Sequence, residues 1–204
     1  MYIAIDFETT SLDYYGLRPI QVGVAHVPFT DHVGFVSMAW DINWEPGTYG
    51  MEIDPESLKI NSFTLDRIFW GEEGYQDHQE VDEELSNTLK RIKQRLQLGN
   101  KDEELIPLGW NVGKFDMDIM RRFLPNSFAL VSHRTRELNT AVALAAEVCG
   151  VDYQKLKQDC KDYSEDMTSR HNDITGSWHD AEWDAVASLY AWDFTKSFIR
   201  DNVE

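Results

Sequence analysis

Two acids, Asp6 and Glu8, stand one residue apart in the apolar run IDFETTSL at residues 5–12. In a strand, residues two apart share a face. Both carboxylates then point one way while Ile5 and Phe7 point the other. Like charges this close are costly unless something positive lies between them. Hard divalent cations such as Mg²⁺ or Mn²⁺ favour carboxylate oxygens, so the pair supplies half of a metal site. Two later segments offer more acids. WNVGKFDMDIM, residues 110–120, puts Asn111 in a turn after an apolar strand, with Asp116 and Asp118 on the first turn of a helix. Two helical steps turn by about 200°, so Asp116 and Asp118 cannot both face one site well, and the spacing does not choose between them. WHDAEWDAVASL, residues 178–189, puts His179 before the last helix and Asp184 on it. Five helical steps pass one revolution by about 140°, so His179 must reach a site from the loop or cap. Ala181 and Ala185 flank Asp184 with small side chains that allow a close approach to a sheet.

With these residues in hand, the sequence resembles the DEDDh branch of the 3′–5′ exonucleases, which includes polymerase proofreading subunits, ribonuclease T, oligoribonuclease and the TREX enzymes. The first motif, D-x-E-T-T, matches Asp6, Glu8, Thr9 and Thr10. The second matches Asn111, Phe115 and Asp116, and the third, H-x-A-x-x-D-A, matches His179, Ala181, Asp184 and Ala185. SLKINSF (57–63) and LNTAVAL (138–144) are weaker echoes of the same family. Ser11, Ser62, Trp110 and Asn139 depart from its usual Gly, Gly, His and Asp, and none of these removes a metal ligand.

The resemblance implies a ribonuclease H-like fold and a metal-dependent exonuclease that releases nucleoside 5′-monophosphates from the 3′ end of single-stranded DNA or RNA. It implies two divalent ions, Mg or Mn, about 4 Å apart. Asp6 would bridge them, Glu8 and Asp184 would help hold one, and Asp116 would help hold the other. His179 would accept the proton of the attacking water, a role suited to a group titrating near neutral pH. The resemblance, and not the geometry, selects Asp116; Asp118 is then expected to be solvated or to pair with Arg121 or Arg122. Thr9 and Thr10 fit either backbone N–H contacts to the terminal nucleotide or strand-end packing. Leu12 fits either a wedge against the last base or core packing, and Asn111 a side-chain contact. Two rivals stay open: a catalytically silent nuclease-fold binding or scaffold module, and a ribonuclease H-like endonuclease.

The elements that must position these groups read as strands at 2–6, 19–27 and 32–38, the last two forming a hairpin, with further strands at 105–109 and 128–132. Helices are expected near 55–60 and 64–70, at 79–98, at 114–124 with Phe115, Ile119 and Phe123 inward, at 139–148, 152–160 and 180–199. Residues 40–78 read as an irregular, aromatic-rich insertion and 161–178 as a polar loop. Strands first, then alternating helices and strands, indicate one α/β domain over 1–204 with a mixed five-stranded sheet flanked by helices.

The chain has 204 residues, of which 42% are hydrophobic and 12% aromatic, enough for a sizeable core. Its formal net charge of −17 argues against coating duplex DNA by phosphate neutralisation. A substrate gripped at a 3′ end, a short oligonucleotide, or delivery by a basic partner fits better. A homodimer or a polymerase partner is compatible with the resemblance. No secretory signal is expected from the start MYIAID, and the apolar run at 141–146 is too short to span a membrane, so a cytoplasmic protein without membrane association is expected. Cys149 and Cys160 read as small core residues. Trp40, Trp44, Tyr49, Trp70 and Tyr75 read as core or lid fillers or as base-stacking residues. Lys114, Arg134 and Arg136 are candidate phosphate contacts. Lys90, Arg91, Lys93 and Arg95, and the acidic runs at 82–84 and 102–104, read as solvated faces.

Overall fold

The computed structural model describes residues 1–11, 16–27, 36–44, 53–62, 76–97, 104–171, 173–174 and 178–203. The expectations at Leu12, for a helix at 64–70, and for Tyr49, Trp70 and Tyr75 fall outside these residues. The chain builds a six-stranded mixed sheet with helices on both faces. The strands are β1 (Tyr2–Thr9), β2 (Pro19–His26), β3 (Val36–Asn43), β4 (Gln76–Asp77), β5 (Ile106–Gly109) and β6 (Arg136–Glu137). Their order across the sheet is β4-β3-β2-β1-β5-β6. β1, β2 and β3 are an antiparallel meander, while β5 runs parallel to β1 and β6 parallel to β5. β5 ends level with the middle of β1, so the turn after β5, which leads to Asn111 and Asp116, opens beside the stretch of β1 that carries Asp6 and Glu8.

Alternation along β1 sorts its side chains. Ile3, Ile5 and Phe7 enter a core with Val81, Leu85 and Leu89 of α2 (His78–Gln97) and Ile119 and Met120 of α3 (Asp116–Phe123). Each such side chain contributes about 1.5–3 kcal/mol by leaving water. Ala4 faces the opposite layer, formed by α5 (Leu138–Cys149), α6 (Tyr153–Ser169) and α7 (Ala181–Asn202). On that face the sheet offers small residues, Ala4, Gly23 and Ala25, so α7 lies close to it. Gly150, at φ 66°, ends α5 in the left-handed conformation that glycine permits.

Several expectations are corrected. Among the described residues the sheet has six strands, not five: residues 76–77 add β4 beside β3 and residues 136–137 add β6 beside β5, while the strand expected near 128–132 is absent. β3 runs through residues 40–43, which had been read as irregular, while the expected strand residues 32–35 fall outside the described residues. Residues 125–128 form a short helix, α4 (Pro125–Phe128), where a strand was expected near 128–132. The reason is a distant cap: both carboxylate oxygens of Asp82 accept backbone N–H bonds, from Asn126 at 2.9 Å and Ser127 at 2.8 Å. Asp82 is therefore buried and not part of a solvated run. α6 continues to Ser169, through residues taken for loop. α1 (Pro55–Ile60), α2, α5 and α7 lie where their patterns put them. Both cysteines are free thiols, Cys160 buried and Cys149 half-buried. Among the described residues no helix is long and apolar enough to cross a membrane.

Candidate active site

Asp6 and Glu8 lie on the α7 side of β1, within the strand rather than beyond its end. Asp6 pairs across the sheet with Gly23, and Glu8 with Gln21. Those two β2 residues dock the start of α7. A Cβ on Gly23 would stand 1.9 Å from the Ala181 carbonyl oxygen, so only a glycine admits the helix here. The Gln21 side-chain oxygen accepts the Ala181 N–H at 2.8 Å, and its amide donates to Asp41 at 3.0 Å. Ala181 and Ala185 are fully buried, as their size predicted.

Asp180, the N-cap of α7, accepts the Glu182 N–H at 3.2 Å. Asp184 follows one turn later, and its Oδ2 accepts the His179 N–H at 3.2 Å. That bond holds His179 at φ 74°, a backbone region that costs a non-glycine residue about 1–3 kcal/mol. His179 thus comes from the cap, not from the helix face. One donor atom from each of Glu8, His179 and Asp184 lies within 4.8 Å of the others.

Asp116 arrives from the other side. After β5 the chain turns through Asn111 at φ 60°, a conformation asparagine tolerates. The Asn111 carbonyl accepts the N–H groups of Lys114 and Phe115 at 3.1 and 3.0 Å. This delivers Asp116 to the first turn of α3, where its Oδ1 accepts the Phe7 N–H at 3.1 Å. The bonded amide lies between Asp6 and Glu8 in sequence. Asp118 pairs with Arg121, one of the two outcomes expected for it, and lines the neighbouring cleft. The Asn111 side chain accepts from Asn139 at 3.0 Å, and Asn139 accepts from Tyr153 at 3.5 Å.

The electrostatics mark one shared cluster. Burial, then the charge of Asp180, pushes Asp6 up to about 7. Burial, then Asp6 and Asp180, pushes Glu8 up to about 9, against a hydrogen bond from Asn61. Asp116 is raised by burial and by Asp6, and Asp184 by burial, Asp6 and Glu8. Burial, and then Lys161, lowers His179. A cation fits this set. The donors are carboxylates and an imidazole, each acid is raised by its neighbours' charge, and the buried Oδ1 of Asp184 has no hydrogen-bond partner among the described residues.

Two groups escaped the sequence reading. Asp180 is a fifth acid in the cluster; only its N-cap position, just before the helix, signalled it. Asn61, buried in the weakly matching 57–63 segment, donates to the Thr9 carbonyl at 3.0 Å and steadies the end of β1. The Thr10 N–H is already donated to the Arg18 carbonyl at 2.9 Å, and its hydroxyl accepts the Arg18 N–H at 3.1 Å. Thr10 therefore closes the loop after β1. The Thr9 hydroxyl donates to the Ser11 carbonyl at 3.0 Å. Ser11 needs no left-handed backbone, so its departure from glycine is accommodated.

A cleft of about 580 Å³ is lined by Leu17, Trp110, Asn111, Lys114, Phe115, Asp118, Ile119 and Arg122, all but Leu17 from the turn and helix that carry Asp116 rather than from the clustered acids themselves. Comparison with known protein families finds no matching family model, and comparison with curated proteins finds no match.

Proposed function

We propose that this protein is a metal-dependent 3′–5′ exonuclease on a ribonuclease H-like sheet. It would hydrolyse the terminal phosphodiester of single-stranded DNA or RNA and release a nucleoside 5′-monophosphate. The observation that carries the reading is the meeting of Glu8 and Asp184 with His179 at β1, where Asp116 is tied to Phe7 between Asp6 and Glu8. Two Mg²⁺ or Mn²⁺ ions held by Asp6, Glu8, Asp116 and Asp184 would supply charge for the scissile phosphate and acidify the attacking water.

The chain's own groups do the rest. Asn61 and Asp116 fix the end of β1, so Asp6 and Glu8 keep their orientation. His179 is exposed, carries its proton weakly, and sits on a cap rather than on the helix. It accepts the proton of the attacking water as the P–O3′ bond breaks, and the departing 3′ oxygen takes a proton from solvent. Trp110 and Phe115 in the cleft offer ring faces for the terminal base, a contact that tolerates any base.

The test is a 5′-labelled single-stranded oligomer, DNA and RNA in parallel, incubated with Mg²⁺ or Mn²⁺. A ladder shortening from the 3′ end, lost in Asp116→Ala, is expected. Internal cuts would favour the endonuclease, and intact substrate the silent scaffold.

A further inference from the structure

Tyr153, Lys157 and Lys161 are spaced four apart and so form one stripe along α6. The Lys157 ammonium lies 5.6 Å from the Trp110 ring centroid and 5.8 Å from that of Tyr153. The Lys161 ammonium lies 5.9 Å from Trp110 and 5.8 Å from Trp178. Both lysines are half-buried, their stems laid over aromatic faces. Among the described residues no carboxylate lies within ion-pairing distance of either ammonium. Other described lysines also lack a carboxylate partner; what distinguishes these two is that each ammonium lies over two aromatic rings.

The stripe has a definite place. Trp110 immediately precedes Asn111 and lines the cleft; Trp178 immediately precedes His179 and packs edge-on against Trp183, ring centroids 4.5 Å apart. Tyr153 reaches Asn111 through Asn139. The lysines thus span the rim of the acid cluster from the Asn111 side to the His179 side. One helical turn separates them by about 6 Å of rise, of the order of the step between successive phosphates in an extended strand. A polyanion approaching five clustered acids needs such a rail, since cations within the cluster engage only the phosphate being cleaved.

We propose that Lys157 and Lys161, held on Trp110, Tyr153 and Trp178, form a cationic rail that takes the phosphates next to the scissile one in a single-stranded nucleic acid. The proposal rests on the exonuclease reading for the direction of the strand, but its test does not. Rings beneath the ammoniums keep them fixed while leaving their N–H groups open to phosphate oxygens.

Binding of a short fluorescein-labelled oligothymidylate, followed by anisotropy over a salt series in the Asp116→Asn background, reads the rail directly. Each lysine engaged adds about 0.7 to the slope of log affinity against log salt. Lys157→Gln and Lys161→Gln are each expected to lower the slope by about that amount and to weaken binding roughly tenfold. Lys161→Arg keeps the slope. Lys155→Ala, which removes the same charge from another face of α6, is the control and keeps wild-type affinity. In the active protein the double Gln variant should raise KM for the oligomer far more than it lowers kcat. Unchanged slope and KM in the double variant, with hydrolysis intact, overturns the rail and leaves the exonuclease. A slope that falls while the otherwise wild-type chain shortens no oligomer keeps the rail and removes the exonuclease. A wild-type chain that binds no oligomer overturns both.

Discussion

Gly23 of β2 meets the carbonyl of Ala181 so closely that a Cβ on Gly23 would stand 1.9 Å from the oxygen. The same glycine faces Asp6 across the strand pair. One missing side chain therefore sets how near α7, with Asp180 and Asp184, comes to Asp6. Gly23→Ala must push back the first turn of α7, because the clash is with backbone and not with a yielding side chain. The expected cost is about 3 kcal/mol or more, with Mn²⁺ affinity lost in whatever folds. Gly16→Ala, where a Cβ meets nothing within 4 Å among the described residues, serves as the comparison and should unfold like wild type. Equal melting temperatures for the two variants would remove Gly23 from this role.

The acid cluster gives the cation-free protein a pH dependence of definite sign. Asp6 and Glu8 rise from 3.8 and 4.5 to about 7 and about 9. Between those limits the folded chain holds more protons than the unfolded one, so stability falls as pH rises. The contribution of Asp6 is complete below 3.8 and lost as pH passes about 7; that of Glu8 is complete below 4.5 and lost as pH passes about 9. Melting temperature in chelator should therefore decline from about pH 5 to about pH 9. Saturating Mg²⁺ should flatten the decline, and its benefit should grow with pH. A chelated protein that becomes more stable toward pH 9 would contradict the buried, mutually repelling arrangement.

Asn61 works through Glu8 and Thr9 rather than on substrate. Its amide donates to the Thr9 carbonyl, and its hydrogen bond opposes the upward shift of Glu8. Asn61→Ala is expected to weaken Mn²⁺ binding about tenfold and to move the pH dependence of that binding upward. Weaker binding without the pH displacement would mark Asn61 as packing alone.

Asp82 offers a purely structural counterpart. Its two oxygens cap α4 from 44 residues away in sequence. Asp82→Ala should cost about 2 kcal/mol, the range of a lost cap with buried donors left over. Denaturant unfolding checks the figure; a loss under about 0.5 kcal/mol, typical of a surface position, would refute the cap's importance.

The site was more legible in the sequence than the fold around it. The apolar run at 2–6 identified β1, though the strand runs on to Thr9, and the D-x-E spacing put Asp6 and Glu8 on one face. Small residues at 181 and 185 announced the close helix. α4 was illegible because its cap comes from α2, a contact that no local pattern encodes. The second half of α6 was missed because its inward positions, Ser164 and Thr168, are polar. Ser164 and Thr168 satisfy their hydroxyls on their own helix, donating to the Lys161 and Ser164 carbonyls at 2.9 and 2.7 Å. They can then be buried without an apolar signature. Asp180 was passed over because a helix cap and a charged site member look alike in sequence.

The account depends most on the carboxylates holding cations in common. Calorimetric titration of the cation-free protein with Mn²⁺ tests this without any assumption about substrate. Binding of two ions per chain is predicted, with proton release, and Asp6→Asn should abolish or sharply weaken both sites while the fold persists. A wild-type protein that takes up no Mn²⁺, or an Asp6→Asn variant that binds it as wild type does, would contradict the account.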